Sequence, residues 1–334
     1  MVLVGGFGTR LRPLTLATPK QMLPVVDRPM LEWVLAGLAR HGVDEAVLAL
    51  GYRPDSFREA YPGGTCAGVR LTYAVEPEPL DTAGAIGFAA RQAGVAEAFL
   101  VVNGDVLTDL DVGALVAAHG AAGAEATIAL HRVEDPSAFG VVPTTADGRV
   151  LAFVEKPPPG EAPTDLINAG TYVLEPSVLE RIEAGRKVSV EREVFPAMVA
   201  DGTLYAQPDG DAYWIDTGTP ALYLQAMLDY VDGRRDGPVP TAVAPDADVE
   251  VSAALDRAVV MTGARIGAGA VVHRSAVLPG AVVGAGATVL DSIVGPGATV
   301  GEGATLEADT VLGDGVVVPR GAALIGARVP GSAP

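Results

Sequence analysis

The chain has one cysteine, Cys66, which excludes an internal disulfide and a cysteine-based metal centre. No apolar run approaches the ~18 residues that cross a bilayer as a helix. The N-terminus lacks a basic segment followed by an apolar one, so no secretory signal is expected. Basic residues are outnumbered: the formal net charge is −18, and no Lys/Arg cluster exceeds Arg234-Arg235. A general nucleic-acid binder needs a basic face, so nucleic acid is not an expected partner, and the acidity reads as solubility. A cytoplasmic protein with no membrane partner fits these absences. Disorder does not fit, because 49% of the residues are hydrophobic and only 19% charged.

Some residue types are scarce. The lysines are Lys20, Lys156 and Lys187, the asparagines are Asn103 and Asn168, and the histidines are His41, His119, His131 and His273. An abundance of arginine beside three lysines suggests that a compact ammonium is kept where it is required.

At 334 residues there is room for about two domains of roughly 100–200 residues each. Two textures divide the chain. Up to residue 232, short apolar runs predict strands at 2–4, 46–50, 69–75, 98–102, 126–132, 139–143, 150–154 and 169–174. Helical patterns fall at 29–41, 55–60, 83–93, 111–120, 176–182, 191–201 and 219–231. Strand–helix alternation predicts an α/β fold, a Rossmann-like mixed sheet with helices on both faces. Residues 233–245, "GRRDGPVPTAVAP", read as a Gly/Pro-rich linker.

Across 246–330, apolar residues recur every six positions: Val271, Val277, Val283, Val289, then Val294, Val300, Leu306, Leu312, Val318 and Leu324. Gly commonly follows the apolar residue and a small residue sits four places after it. This is the hexapeptide pattern of a left-handed parallel β-helix, one apolar side chain per side pointing inward. The step from 289 to 294 is five residues.

The densest cluster of chemistry opens the chain. Val2-Leu3-Val4 reads as a strand end and Gly5-Gly6-Phe7-Gly8-Thr9-Arg10 as the loop after it. Glycines let backbone N–H groups approach an anion, and Arg10, Arg12 and Lys20 add positive charge. The dinucleotide fingerprint is not matched, since position 11 is Leu, and the P-loop pattern fails too. Taken alone, the glycines are equally met by a plain structural turn.

The full string, G-G-x-G-T-R-L-R-P-L-T followed by P-K-Q-M-L-P-V, resembles the signature of the sugar-1-phosphate nucleotidyltransferases, most closely the mannose-1-phosphate guanylyltransferases. The likeness continues in order through "EPEPLDTAGAI", "VVNGDVL", "FGVV", "FVEKP", "INAGTYVL", "VSVEREVFPAM" and "YWIDTGTP" into the hexapeptide region. It implies attack of a sugar 1-phosphate on the α-phosphate of a nucleoside triphosphate, releasing pyrophosphate. GTP and mannose 1-phosphate are the expected substrates, with glucose-1-phosphate thymidylyl- or uridylyltransfer as the alternative.

By resemblance, Arg10, Lys20, Asp105, Lys156 and Asp216 carry the reaction, and Asp105 and Asp216 hold Mg²⁺. Nucleotide contacts fall on Val4, Gly5, Gly6, Gly8, Thr9, Arg10, Lys20, Glu78, Leu80, Thr82, Gly84, Gly104 and Asp105; sugar-phosphate contacts fall on Gly140, Glu155, Lys156, Asn168 and Gly170. Asp105 also follows an apolar run, and carboxyl ends of strands are where open α/β sheets bind ligands. The alternative for Asp216 is a turn residue, and for Gly140 and Gly170 close strand packing. Glu191, after Ser189, reads either as helix-start chemistry or as a site residue. Asp81 stands where L-G-T-A-G is common, as a helix N-cap or a guanine acceptor. Gln21 departs from P-K-P. With four residues before Gly5, either the first strand is short or the natural start lies upstream.

The chemistry agrees with this composition. A sugar phosphate is already a nucleophilic oxyanion, its second pKa being about 6, so positioned cations matter more than a general base. An acyltransferase on the same β-helix would need a catalytic histidine, and that region offers only His273. A non-catalytic regulatory subunit would tend to lack the metal carboxylates or phosphate cations, which are present. The β-helix further suggests a homo-oligomer.

Overall fold

The computed structural model describes residues 1–51 and 54–331. The chain forms two compact units. Met1–Gly6 and Val34–Trp214 make the first, while Phe7–Trp33 and the chain from Ile215 onward make the second.

The first unit is built on a ten-stranded mixed sheet. Its strands are β1 (Val2–Leu3), β2 (Glu45–Leu50), β3 (Thr65–Cys66), β4 (Val69–Val75), β5 (Phe99–Asn103), β6 (Ala126–Arg132), β7 (Gly140–Val141), β8 (Val154–Glu155), β9 (Leu166–Leu174) and β10 (Leu204–Pro208). The order is β8-β7-β9-β5-β1-β2-β4-β3, with β6 also paired to β9 and β10 to β6. The central neighbours β5, β1, β2 and β4 run parallel: Leu3 pairs with both Asn103 and Ala49, and Leu48 pairs with Tyr73. The parallel pairing of β1 on both edges fixes it at the sheet centre. β4 reads V-R-L-T-Y-A-V: Val69 and Leu71 are buried and Arg70 and Thr72 exposed at its start, whereas Ala74, on the face of Arg70 and Thr72, is buried near its end. Ile86, Val101, Ile128, Tyr172 and Phe195 share a core in this unit.

The helices are α1 (Met30–Arg40), α2 (Pro54–Ala60), α3 (Asp81–Ala93), α4 (Val112–Ala122), α5 (Phe195–Asp201) and α6 (Pro220–Val231). Two expected helices differ. Residues 176–182 form a six-residue 3₁₀ helix, Pro176–Arg181. The pattern at 191–201 divides into a π-helical turn, Val190–Val194, running into α5, where Pro196 begins the regular helix. Strand 139–143 contracts to β7, and β10, which the sequence pattern missed, follows α5.

In the second unit, α6 starts in a sequence that specifies a cap: the Thr219 hydroxyl accepts the Leu222 N–H and Pro220 occupies the first turn. Tyr223 donates its hydroxyl hydrogen to the Pro24 carbonyl, and Thr217 lies against Met30 Sδ. Three five-stranded parallel sheets follow, the architecture of a left-handed parallel β-helix. Arg265 pairs with Val282, Val271 with Thr288 and Ala276 with Ile293, giving a 17-residue coil.

The inward ladder corrects one position. Val272 is fully buried while Val271 is 38% exposed, so the apolar position is 272. The five-residue step therefore occurs at 272–277 as well as 289–294, though not at 306–312, and it marks the short corner. There a buried hydroxyl repairs the backbone: Ser275 Oγ donates to the His273 carbonyl at 2.7 Å and accepts the Ser292 N–H at 3.0 Å. Thr310 does the same with Glu307 and Ala327. Buried serines in an apolar column are thus satisfied rather than costly.

Candidate active site

In the first unit, four parallel strands end side by side, and the residues just beyond them line one edge. Gly5 follows β1, Gly51 follows β2, Glu76 follows β4, and Gly104-Asp105 follow β5. Gly104 donates its N–H to the Leu3 carbonyl at 2.9 Å, and a Cβ on it would lie 2.8 Å from Val4 Cγ1. Only glycine lets β5 pass so close to β1, and that approach places Asp105 beside the glycine turn. Val4 is buried and acts as the wall of this crossing. Gly6 has φ +101, a conformation open to glycine and strained for other residues.

Glu76 is the residue of this edge that the sequence reading missed. Glu78 is exposed, whereas Glu76 is 8% exposed. Its Oε2 accepts the Leu80 N–H at 2.9 Å, and its Oε1 lies 3.9 Å from where a Cβ of Gly5 or of Gly51 would be. Burial pushes its carboxyl above the ordinary range, with the Leu80 N–H offsetting part of the rise. The alternation at the start of β4 would place position 76 on the face of Arg70 and Thr72, so the sequence carried no signal for its burial.

The segment after Glu76 is held by the chain's own groups. The N–H groups of Ala83 and Gly84 donate to the Val188 carbonyl at 2.9 and 3.1 Å, and Val188 donates to Leu80. A Cβ on Gly84 would lie 2.9 Å from the Arg186 carbonyl. The α3 N-terminus is therefore capped by Val188 rather than by Asp81. Asp81 has φ +63 and accepts only from the next residue, Thr82. A left-handed position explains glycine as the common residue there, with Asp among the tolerated substitutes.

At the other end of the sheet, Gly140 pairs with Glu155, and a Cβ on Gly140 would lie 3.0 Å from Glu155 Oε2 and 2.7 Å from the Phe153 ring. Lys156 turns through φ +49, an unfavourable conformation for lysine, and its Nζ lies 3.4 Å from Glu155 Oε1. Asn168 uses both ends of its amide within the protein: Oδ1 accepts the Gly170 N–H and Nδ2 donates to the Tyr172 hydroxyl, both at 2.9 Å. Gly170, at φ +75, leaves space for Asn103, whose Nδ2 would lie 2.6 Å from an added Cβ. The Trp214 indole donates to the Ala169 carbonyl at 2.9 Å, fixing this bulge of β9. Burial, followed by the charges of Glu191, Glu155 and Asp105, holds the Tyr172 hydroxyl well above its usual pKa.

The second unit carries the other cluster. Gly8, at φ +56, starts a 3₁₀ turn, Thr9–Leu11, and Thr15 donates its hydroxyl to the Gly8 carbonyl at 2.7 Å. Thr9 and Arg10 are exposed on this turn. Lys20, only 6% exposed, lies 3.6 Å from Asp216 Oδ1. A Cβ on Gly218 would lie 2.7 Å from Arg10 Nη2 and 3.0 Å from Asp216 Oδ1. Arg10, Lys20, Asp216 and Gly218 are thus one group, two cations about one carboxylate. Among the described residues, no group of three or more His, Cys, Asp or Glu is gathered to hold a metal.

An open α/β sheet with a glycine turn, a carboxylate at its parallel strand ends, and a cation-rich turn beside an aspartate defines a nucleotide-handling protein of the α/β class. The nucleotidyl transferase family model matches residues 1–233, and the chain belongs to that family. The model of the GMPPB C-terminal domain matches residues 238–331. The mannose-1-phosphate guanylyltransferase of Mycobacterium tuberculosis is 40% identical over 295 residues, 80% of this chain and 81% of that protein. The mannose-1-phosphate guanyltransferase of Schizosaccharomyces pombe is 43% identical over 70% of this chain and 65% of its own length. The crystal structure of HddC from Yersinia pseudotuberculosis, also solved in complex with GMP-PN, superposes with TM-score 0.60 at 29% identity, covering 69% of this chain and 97% of that one.

Proposed function

We propose that the protein transfers a guanylyl group from GTP to mannose 1-phosphate, giving GDP-mannose and pyrophosphate. The observation that carries this reading is the similarity to the Mycobacterium tuberculosis enzyme of that name, which spans 80% of the chain. The buried Glu76 carboxylate beside Gly5 supports the choice of base. Guanine offers two adjacent donors, N1–H and N2–H₂, that one carboxylate can accept, whereas uracil and thymine offer one donor flanked by carbonyls.

In this reading a phosphate oxygen of mannose 1-phosphate attacks the α-phosphorus of GTP, and the α–β bridging P–O bond breaks. The nucleophile arrives deprotonated, so the protein supplies alignment and positive charge. Arg10 and Lys20 neutralise the triphosphate. Lys156 neutralises the sugar phosphate, and Glu155 accepts a sugar hydroxyl. The glycine turn, Val4 to Gly8 with Thr9, brings backbone N–H groups to the nucleotide. Leu80, Thr82 and Gly84 act by holding the shape of the base-side segment, Gly104 by placing Asp105, and Gly140, Asn168 and Gly170 by shaping the sugar side.

Asp105 and Asp216 are hard oxygen donors of the kind Mg²⁺ takes, one or two carboxylates alongside phosphate oxygens. Asp105 and Asp216 would hold it, and bound Mg²⁺ would supply charge neutralisation at the phosphates. We further propose that the protein acts in the cytoplasm as a homo-oligomer. No helix among the described residues is long and apolar enough to cross a membrane. The exposed Val251, Val317 and Ile325 support contacts through the β-helix. A matrix of GTP, UTP, dTTP and ATP against mannose and glucose 1-phosphates, read by pyrophosphate release, tests the assignment. A wild type that prefers UTP or dTTP overturns it.

A further inference from the structure

Glu191 lies on the one π-helical turn among the described residues, Val190–Val194. Such turns are rare and frequently accompany function. Its Oε2 accepts two hydroxyl hydrogens, from Thr82 Oγ1 and from Ser189 Oγ, each at 2.7 Å. Each hydroxyl is in turn fixed by a backbone N–H: Val190 donates to Thr82 Oγ1 at 2.9 Å and Arg192 donates to Ser189 Oγ at 3.2 Å. With one proton per hydroxyl and its direction fixed by the incoming N–H, both must point at the carboxylate. The arrangement is a closed relay, N–H to hydroxyl to Oε2 from either side.

Such a relay exceeds what helix capping needs. The π turn begins with Ser189, whose hydroxyl already supplies the cap. The α3 start is already satisfied by Val188. Glu191 adds a tie between two segments 109 residues apart in the chain. On the far side of that tie, Val188 donates to the Leu80 carbonyl while Leu80 donates to Glu76 Oε2 at 2.9 Å. Glu191, Thr82, Leu80 and Glu76 are therefore linked through one short segment, residues 80–82.

We infer that Glu191 is a positioning residue for nucleotide selection: together with Ser189 it clasps Thr82, and through Leu80 it sets the Glu76 carboxylate against the base. The inference rests on the proposed role of residues 76–84 in nucleotide binding, and it extends that role to Glu191. It also accounts for the residue type. Two donors converging on one oxygen need an acceptor without a hydrogen of its own at that atom, which either a carboxylate or the carbonyl oxygen of an amide supplies.

The test uses the full chain and measures the KM for the preferred nucleotide, the KM for the sugar phosphate, kcat and the melting temperature. Glu191→Ala should raise the nucleotide KM roughly tenfold, as expected for two lost hydrogen bonds, with the sugar-phosphate KM within twofold of wild type. It should also narrow the ratio of kcat/KM between GTP and ITP, which lacks the 2-amino donor. Glu191→Gln should restore most of the effect, its amide oxygen taking the place of Oε2. Thr82→Val should mimic Glu191→Ala, and the double variant should be no worse than either single. Thr82→Ser keeps the hydroxyl and covers the case in which Thr82→Val fails to fold. A melting temperature that falls with both KM values unchanged makes Glu191 a stability residue and overturns the inference, as does a rise in the sugar-phosphate KM alone. Failure of the guanylyl reading appears separately, in the nucleotide preference of the wild type.

Discussion

A Cβ on Gly313 would stand 3.0 Å from the Cβ of Pro13 and 3.3 Å from the Cδ of Pro330. The cation-bearing turn after Gly8 and a late coil of the β-helix therefore close on each other within the second unit, with no room for a side chain. The β-helix is thereby more than an appended module: it braces the segment that presents Arg10. Gly313→Val should displace that turn and lower kcat/KM by about tenfold, since small misplacements of charged groups are costly in phosphoryl transfer. Pro13→Gly opens the space, so the double variant should be no worse than Gly313→Val alone. Kinetics of the four proteins in the cycle check this, and strictly additive losses count against it. Truncation near residue 232 should cost activity for the same reason.

A second expectation concerns Lys20 and Asp216, 3.6 Å apart with Lys20 almost fully buried. Asp216→Asn removes a carboxylate charge from beside that ammonium. Because Asp216 is 23% exposed, the stability cost should be about 1–3 kcal/mol, below that of a fully buried pair. Activity should fall by roughly 10² or more. Adding Lys20→Met should recover the melting temperature but no activity. A single variant with a wild-type melting temperature and turnover would remove Asp216 from both roles.

The lysines offer a third. Lys156 sits at φ +49 beside Glu155, whereas Lys187 is exposed and has an ordinary backbone. Lys156→Arg keeps the charge but flattens and enlarges it, and should lower kcat/KM by at least about tenfold. Lys187→Arg should leave it within twofold. Equal effects would show that the scarcity of lysine marked nothing.

What the sequence revealed follows from which physical signals are local. The run before Asp105 and the Thr219-Pro220 cap are written in neighbouring residues, and each appears where its pattern puts it. The hexapeptide ladder was legible as a repeat, but Val271 and Val272 are both valines, so composition could not say which one turns inward. The roles of Asp81 and Glu191 were not legible, because the partner that decides each is far along the chain. Val188 caps α3 in place of Asp81, and Thr82 meets Glu191 across 109 residues. Glu76 was overlooked for another reason. "EPEP" carries two glutamates, and only the pairing of β4 in the sheet tells the buried one from the exposed one.

Asp81 gives a fourth prediction. Its left-handed φ and exposed carboxylate mean that Asp81→Gly should be neutral to ~1 kcal/mol stabilising, because the left-handed conformation costs other residues about that much or more. Asp81→Val should destabilise by about 1–2 kcal/mol. The ranking of GTP, UTP, dTTP and ATP should be unchanged in both. A selective loss of GTP activity in Asp81→Gly would return the base-reading role to Asp81.

Glu76 gives the last, and it couples stability to pH. Burial raises its carboxyl pKa above the ordinary value of a glutamate. The folded state therefore holds this proton to a higher pH than the unfolded chain does. Between the unfolded value and the raised folded value, the native state binds more protons, so its stability falls as pH rises. The stabilising effect of the protonated group is complete below the unfolded value and is lost by the time pH has passed the folded one. Above the raised folded value the free protein carries a buried carboxylate that accepts the Leu80 N–H, an arrangement that burial disfavours and that suits an incoming pair of donors. Glu76→Gln removes the buried charge while an oxygen can still accept the Leu80 N–H. It should raise the melting temperature at pH 7 more than at pH 4, and it should narrow the preference for GTP over UTP by at least about tenfold, since one charge-assisted acceptor is lost. Thermal unfolding of wild type and Glu76→Gln across pH 4–8, with the nucleotide matrix on the same samples, measures both. A pH-independent difference in melting temperature would mean that Glu76 does not titrate between the two states, and an unchanged nucleotide ranking would take the base away from it.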